Sequence, residues 1–438
     1  MTRAAAVCAL VLWTARASAQ SVTQRGFLEG TAFVYAQAAP NDDVRFVSEV
    51  LAREEVFFKP APWIQFAGGL DFRASSHDHV EDSWRLDFSD RTLKRPRLSI
   101  RRLAATVTRG RFTLDMGKQV IRWGKTDIVT PTDRFAPRDF LNVVDNELLA
   151  VTGARGVIQA DQETFEVVWL PRFTPSRVPL VDQRWAPLPP LARGIPIVDA
   201  NAPLPDGLQT GLRWGHVGSA IEYSLSFFDG FNHLPNMDAL TTINAEPAEP
   251  ACSVCSAGSA NSASIVVRRI YPSIRTYGVD AAVPTRWFTI KGEAAYFTSS
   301  SVDTDLSLRS AEGAKGDEDV LYVLQLERQT GEWVLVGGYA GEAVTARRAA
   351  LTFAPDRGMT RSIVARASYT IDPNRSVAFE SAVRQNGNGV YAKAEYSQAR
   401  GQHWRATVTG IVIAGSEDDF LGQYHRNSHA TVALRYSF

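Results

Sequence analysis

Cysteine is nearly absent from this 438-residue chain: Cys8, Cys252 and Cys255 are the whole set. That excludes a disulfide-built scaffold. Cys252 and Cys255 form a CxxC within EPAEPACSVCSAGSANSAS. With no second pair and no surrounding helical pattern, a zinc or redox site is not supported, and in an oxidising compartment a small loop disulfide is expected. An excess of one charge sign is also missing: 47 Lys and Arg balance 47 Asp and Glu. No nucleic-acid partner is implied. Beyond the N-terminus no apolar run approaches the roughly 18 residues that a membrane-spanning helix needs. Catalytic signatures of the G-x-S-x-G, H-E-x-x-H or phosphate-loop kind do not occur. His77-Asp78-His79 could offer two metal ligands, but no third partner is evident. The expectation is therefore no enzyme, no cofactor and no metal.

Residues 1–19 read as a cleaved secretory signal: Arg3, the short apolar run AAAVCALVLW, then Ala17-Ser18-Ala19. From 20 to 438 the dominant signal is alternation. In HATVALRYSF, Ala430, Val432, Leu434, Tyr436 and Phe438 share one face, with Thr431, Ala433, Arg435 and Ser437 on the other. Phe165, Val167 and Trp169 oppose Glu166, and Leu324 and Leu326 oppose Gln325 and Glu327. Alternation suits a soluble sandwich as well as a membrane barrel, so the connections have to decide.

Tight turn signals lie near Lys59–Pro62, Arg109-Gly110, Ala160–Gln162, Val217–Ser219, Pro284–Arg286, Thr330-Gly331, Asp372–Arg375 and Arg400-Gly401. Longer polar segments separate them, near 38–43, 76–93, 124–147, 171–207, 230–263, 300–317, 345–357, 386–389 and 415–427. Alternating short and long connections predict an all-β, antiparallel, up-and-down transmembrane β-barrel of about 18 strands, with 16 as the alternative. Trp63, Trp287, Trp333 and Trp404 each follow a short turn closely, as an aromatic girdle on the periplasmic side would require. The implied location is the outer membrane of a Gram-negative-type bacterium, in contact with its lipids. The final strand, ending at Phe438, resembles the C-terminal strand of bacterial outer-membrane proteins, which their assembly machinery recognises.

Charged residues concentrate early. In LKRPRLSIRRL, Arg95, Arg97 and Arg101 fall on one face, which should point to the lumen because arginine in lipid costs roughly 2–4 kcal/mol. The strand beginning at Arg111 leads into GKQVIRWGKTDIVTPTDRFAPRDFLNVVDNE, Gly117 to Glu147. Simple alternation would turn Lys118 and Arg122 to lipid. A bulge at Gly117-Lys118 would bring both inward and leave Trp123 at the outer interface. The segment GKQVIRWG followed by TPTD resembles the G-x-Q-x-x-x-W-G … P-x-D signature of uncharacterised bacterial outer-membrane porin-like families. The match covers about 35 residues. The resemblance implies Gly117, Gln119, Trp123, Gly124, Pro131 and Asp133 as family positions, and a third external loop, 124–147, that folds into the barrel.

Pore-lining residues are then Arg95, Arg97, Arg101, Lys118, Arg122, Asp127, Asp133, Arg134, Arg138 and Asp139. Arginines would face loop acids, and the transverse field would sort small polar or anionic solutes. Two alternatives remain: an uptake channel for hydrophobic compounds with the proline-rich loop 171–207 as lid, or a surface-binding or structural barrel.

Overall fold

The computed structural model describes residues 21–187, 195–200, 203–244, 262–299, 318–344, 359–385 and 388–438. The expected signal peptide and the Cys252/Cys255 pair lie outside the described residues.

The wall strands are β1 (Ser21–Tyr35), β2 (Phe46–Ala61), β3 (Ile64–Ser75), β4 (Leu98–Arg109), β5 (Phe112–Gln119), β6 (Val151–Ala160), β7 (Glu163–Leu170), β8 (Gln209–Val217) and β9 (Glu222–Phe231). They continue as β10 (Ser273–Pro284), β11 (Thr289–Ser299), β12 (Glu318–Thr330), β13 (Trp333–Val344), β14 (Ser362–Asp372), β15 (Arg375–Arg384), β16 (Val390–Arg400), β17 (Trp404–Ala414) and β18 (His429–Ser437). Each pairs antiparallel with its sequence neighbours, and β1 closes the ring on β18 from Phe27↔Ser437 to Tyr35↔His429. Closure leaves no edge strand among the described residues, as a sheet surrounded by hydrocarbon requires. The count of 18 holds because Arg384 to Val390 is a genuine, short connection between β15 and β16.

Side-chain phase follows the sequence. Leu324 is 55% exposed on the outer face while Gln325 beside it is fully buried. Phe165, Val167 and Trp169 are likewise outside, with Glu166 buried inside. The short turns lie where the glycine and proline signals put them. In two of them Gly110 and Gly331 take φ of 60° and 54°, the left-handed conformation that a tight hairpin needs. Trp63, Trp287, Trp333 and Trp404 are all exposed at that end of the barrel.

The wall departs from regularity on one side. The β5–β4 ladder runs unbroken from Phe112↔Arg109 to Lys118↔Leu103, and the β5–β6 ladder is continuous to Gln119↔Val151. The bulge expected at Gly117-Lys118 is therefore absent. A register shift occurs one strand away, where Gly69↔Arg102 is followed by Leu70↔Ile100, leaving Arg101 as the extra residue. Gly117 solves the local problem differently, through a φ of 116° at a site where a Cβ would collide with the Leu103 carbonyl oxygen. Beyond Gln119 the chain leaves the wall. The upper part of β4 is instead flanked by Leu86–Asp87, paired parallel to Leu98 and Ser99.

Residues 230–263, expected as loop, contain a hairpin. Asn236–Asn244 pairs with Ser262–Ile270, which also pairs parallel with Ile197–Ala200, forming a three-stranded sheet separate from the wall sheet.

Candidate functional site

The connection 120–150 enters the barrel. Its first residues carry an apolar wedge inward: Ile121, Trp123 and Phe135 are buried with Val151, Val168, Leu170, Phe228 and Ile274. Trp123 was expected at the outer interface. It is 2% exposed, its indole NH donates to Glu166 Oε1 at 2.6 Å, and Phe135 meets its ring edge-on at 4.8 Å. The girdle assignment fails because the strand stops at Gln119, before the indole could reach the outer face. Gly124, at φ 101°, passes so close to the far wall that a Cβ would lie 2.8 Å from a Glu293 oxygen.

Glu293, on β11, is the first anchor. It accepts from the backbone of Lys125 (3.0 Å), Thr126 (3.2 Å) and Thr132 (2.8 Å) and from the hydroxyls of Thr126 and Thr132, both at 2.8 Å. Next to it, Gln325 on β12 accepts from Asp127 N–H at 2.8 Å and donates to the Asp127 carboxylate at 2.7 Å. Lys291 reaches the same carboxylate at 3.0 Å. Burial raises and these partners lower the Asp127 pKa, and the partners prevail.

The second anchor lies opposite. Asp139 receives Arg95 at 3.0 and 3.2 Å and Arg177, from the proline-rich connection, at 3.3 Å. Glu147 receives Arg73 at 2.5 Å and Arg53 at 3.4 Å, with Arg101 at 3.9 Å. Arg53 also grips Asp71 through two contacts of 2.7 and 2.8 Å. Burial opposes ionisation of both loop acids, yet the arginines hold Asp139 well below the usual carboxylate range and Glu147 at about 2. β2 and β3 carry Arg53 and Arg73, whereas β11 and β12 carry Glu293 and Gln325. Seven strands lie between these pairs on either side of the ring, so the connection crosses the lumen along a diameter.

The expected site residues divide accordingly. Arg95 and Asp139 meet each other, as do Arg122 and Asp133 at 3.3 Å. Arg101 turns to Asp71 and Glu147. Asp127 reaches the β11–β12 wall, Arg134 lies 5.1 Å over Phe297 of β11, and Arg138 donates to Asn146 at 2.8 Å. Lys118 stands opposite the outward Leu103 and Thr152 but is buried, 2.6 Å from Asp90. Arg97 is not brought to this group. It precedes the strand, lies 5.0 Å over Trp84 and reaches Asp82 at 3.3 Å. Burial pushes Asp133 up to about 6 despite the Trp123 amide and Arg122. Sequence reasoning missed Arg53, Arg73, Asp71 and Glu293. All four sit at inward positions of alternating strands, a phase that a search for charged inward residues could have found.

Among the spaces beside the connection, two flank residues 127–147. One, of about 530 Å³, runs between residues 127–146 and β12–β17, from Phe420, Leu421 and Tyr424 down to Glu327, Arg366 and Glu380. The other, of about 330 Å³, separates residues 142–147 from β1 and β16–β18 and is lined by Glu29, Glu49, Arg73, Lys393, Glu395 and Arg435 among others. Residues 171–187 of the proline-rich connection cap the mouth. Trp185 is fully buried against Tyr424, and Arg184 lies 4.0 Å over Tyr35 while donating to the Val44 carbonyl at 2.7 Å.

A closed, eighteen-stranded up-and-down barrel with short turns at one end and a connection folded across its lumen is the fold of outer-membrane porins. Three solved structures illustrate the likeness. OccAB4 of Acinetobacter baumannii is 11% identical, with 95% of this chain and 97% of that one covered at a TM-score of 0.52. A BenF-like porin from Pseudomonas fluorescens Pf-5 is 9% identical, covering 95% and 98% at 0.53. OccK5 (OpdH) of Pseudomonas aeruginosa is 9% identical, covering 95% and 98% at 0.51. At such identities the likeness is one of fold. No protein-family model matches the sequence, and no curated protein matches it.

Proposed function

We propose that this chain is an outer-membrane channel of the porin type that passes small polar or anionic solutes and has no catalytic role. The observation that carries the reading is the connection 120–150, which crosses the lumen and leaves a passage of about 530 Å³ lined by groups of both charge signs. A solute in that passage meets Asp127, Glu327 and Glu380 together with Arg134, Arg138 and Arg366. Opposed charges across a narrow, low-dielectric space orient a dipole and sort ions. On the second anchor, three guanidiniums, Arg53, Arg73 and Arg101, share two carboxylates, Asp71 and Glu147, leaving one positive charge in excess. That excess favours anions locally, and Arg101, with contacts of 3.8 and 3.9 Å, is the least committed of the three.

The test is reconstitution of the purified chain in planar bilayers. Ion conductance is expected, and Arg101→Gln should move the reversal potential toward cations. Absence of conductance sinks the channel reading, and an unchanged reversal potential sinks the role of Arg101.

One observation favours a second reading. The mouth side of the same passage is apolar, with Ile128, Val143, Val144, Tyr391, Ile413 and Phe420. Uptake of a hydrophobic compound without measurable ion conductance would place the chain there, with residues 171–187 as its lid.

A further inference from the structure

The outer face near the short-turn end carries a depression that passage through the lumen does not use. Leu326 of β12, Gly337 of β13 and Ala365 of β14 pair in one row across the wall. Leu335 of β13, Ala367 of β14 and Phe379 of β15 pair in the next row, nearer the turns. Leu326, Leu335 and Phe379 are exposed on the outer face. Glycine and alanine between these larger neighbours leave a furrow of about 390 Å³. At Gly337 an added Cβ would meet nothing within 4 Å, so the furrow is open down to its floor. It begins beside Phe288 and Arg328, close to the level of the girdle residues Trp287 and Trp333. An open apolar furrow running from an aromatic girdle into the hydrocarbon accepts an apolar chain.

Two arginines stand at its turn end. Arg286, in the turn between β10 and β11, lies 5.2 Å from the centroid of the Trp287 ring, and Arg328 of β12 lies 5.7 Å from the same centroid. Both are exposed, and Arg328 itself lines the furrow. Neither makes an ion pair among the described residues. Glu327, beside Arg328 in the chain, takes the opposite phase and pairs with Lys291 at 2.7 Å. Glu332, in the adjoining short turn, pairs with neither arginine. Phe27 is also shared by two guanidiniums, Arg53 and Arg435, but Asp71 and Glu29 answer these, each at 2.7 Å. At Trp287 no carboxylate plays that part, so two like charges converge on one indole. An anion within reach of both relieves their repulsion. Interfacial tryptophan marks the head-group level, where lipid phosphates lie.

We propose that Arg286 and Arg328 hold the phosphate of an anionic phospholipid in the leaflet facing the periplasm, with one acyl chain in the furrow over Gly337, Ala365 and Ala367. Guanidinium forks match phosphate oxygens and hold them at an interface better than ammonium groups do. A basic pair beside an apolar cleft selects anionic head groups, because a zwitterionic one brings a cation of its own. The proposal rests on outer-membrane residence with the short turns toward the periplasm, but not on conduction.

The experiment measures lipid binding to the full chain purified in detergent, by native mass spectrometry. The probes are phosphatidylglycerol and phosphatidylcholine with identical acyl chains. Phosphatidylglycerol should bind about tenfold more tightly, as charge-assisted contacts require. Arg286→Ala with Arg328→Ala should abolish that preference. Gly337→Leu, which fills the furrow where a Cβ meets open space, should weaken binding of both lipids several-fold. Glycerol phosphate at the same concentration should fail to displace the lipid, since it has no chain for the furrow. Arg111→Ala, across the barrel and already paired with Asp161 at 3.2 Å, serves as the surface control and should leave the preference intact. Equal binding of the two lipids, an unchanged preference in the double variant, undiminished binding in Gly337→Leu, or displacement by glycerol phosphate would each overturn the proposal. So would a dimer of the chain that Gly337→Leu dissociates, because a second copy would then fill the furrow. Bilayer conductance on the same preparations keeps the readings apart: selective lipid binding in a non-conducting barrel removes the channel function and leaves this site standing.

Discussion

Residues 125–132 and residues 138–147 belong to one connection, yet the wall holds them by different chemistry. The first half brings neutral donors, backbone N–H groups and threonine hydroxyls, to a single buried carboxylate, Glu293, flanked by the ion pairs of Asp127 with Lys291 and Lys125 with Glu222. The second half brings its own carboxylates, Asp139 and Glu147, to arginines, three of them supplied by β2–β4. A carboxylate satisfied by neutral donors in fixed geometry positions the chain sharply, and its negative charge stays buried against the connection. Shared guanidiniums position it more loosely, and they project a field into the space where a solute passes. Placement and selectivity are thus divided between the two ends of one segment.

The largest effect should come from Glu293→Ala. It strips five contacts from residues 125–132 and leaves buried donors unanswered, a loss on the order of 4 kcal/mol for the docked segment. Several-fold higher single-channel conductance is expected, and Glu293→Gln, which keeps one oxygen acceptor, should fall between. Asp139→Asn comes next. Arg95 and Arg177 retain Glu49 and Asp90, so the cost should be nearer 2 kcal/mol. Limited proteolysis within residues 136–147 reports it, and cleavage no faster than in the wild type would contradict this ranking. Smaller still is Glu147→Gln, which leaves the segment docked but frees positive charge. The anion-to-cation permeability ratio should rise about twofold, while a fall would reverse the sign assigned to the arginine cluster.

The smallest effect concerns Asp133, whose carboxyl lies at about 6 against an ordinary 3.8. A raised folded-state value means that the native fold prefers the protonated acid. Stability from this group is therefore greatest at low pH and is lost as pH rises through about 6. Protection factors of the amides over residues 122–134, exchange referred to the intrinsic rate at each pH, should rise between pH 7 and pH 5, and Asp133→Asn should flatten that dependence. Protection that falls on acidification would show the opposite linkage.

Much of the barrel was legible because strand phase and turn chemistry are local. Leu324 and Gln325 announce their faces by themselves, and the short turns carry their own glycines and prolines. The interior connection was legible only in position. Its acids could be listed, but their partners are set by which strands lie opposite after closure. Glu293 comes some 160 residues after the threonines it binds, and nothing in IKGEAAYF marks it as an anchor. Trp123 misled because an aromatic at a strand end usually marks an interface. The sequence alone did not reveal that the chain turns inward at Val120. Arg97 misled through a parity that has force only once the strand has begun, and β4 begins at Leu98.

Single-channel conductance of the Glu293→Ala, Asp139→Ala double variant tests the central claim most directly. If residues 120–150 cross the lumen on two opposed anchors, removing Glu293 from the first and weakening the second should raise conductance several-fold above the wild type, with barrel folding, read by heat-modifiable gel mobility, unchanged. Equal conductance in a folded double variant would contradict the account.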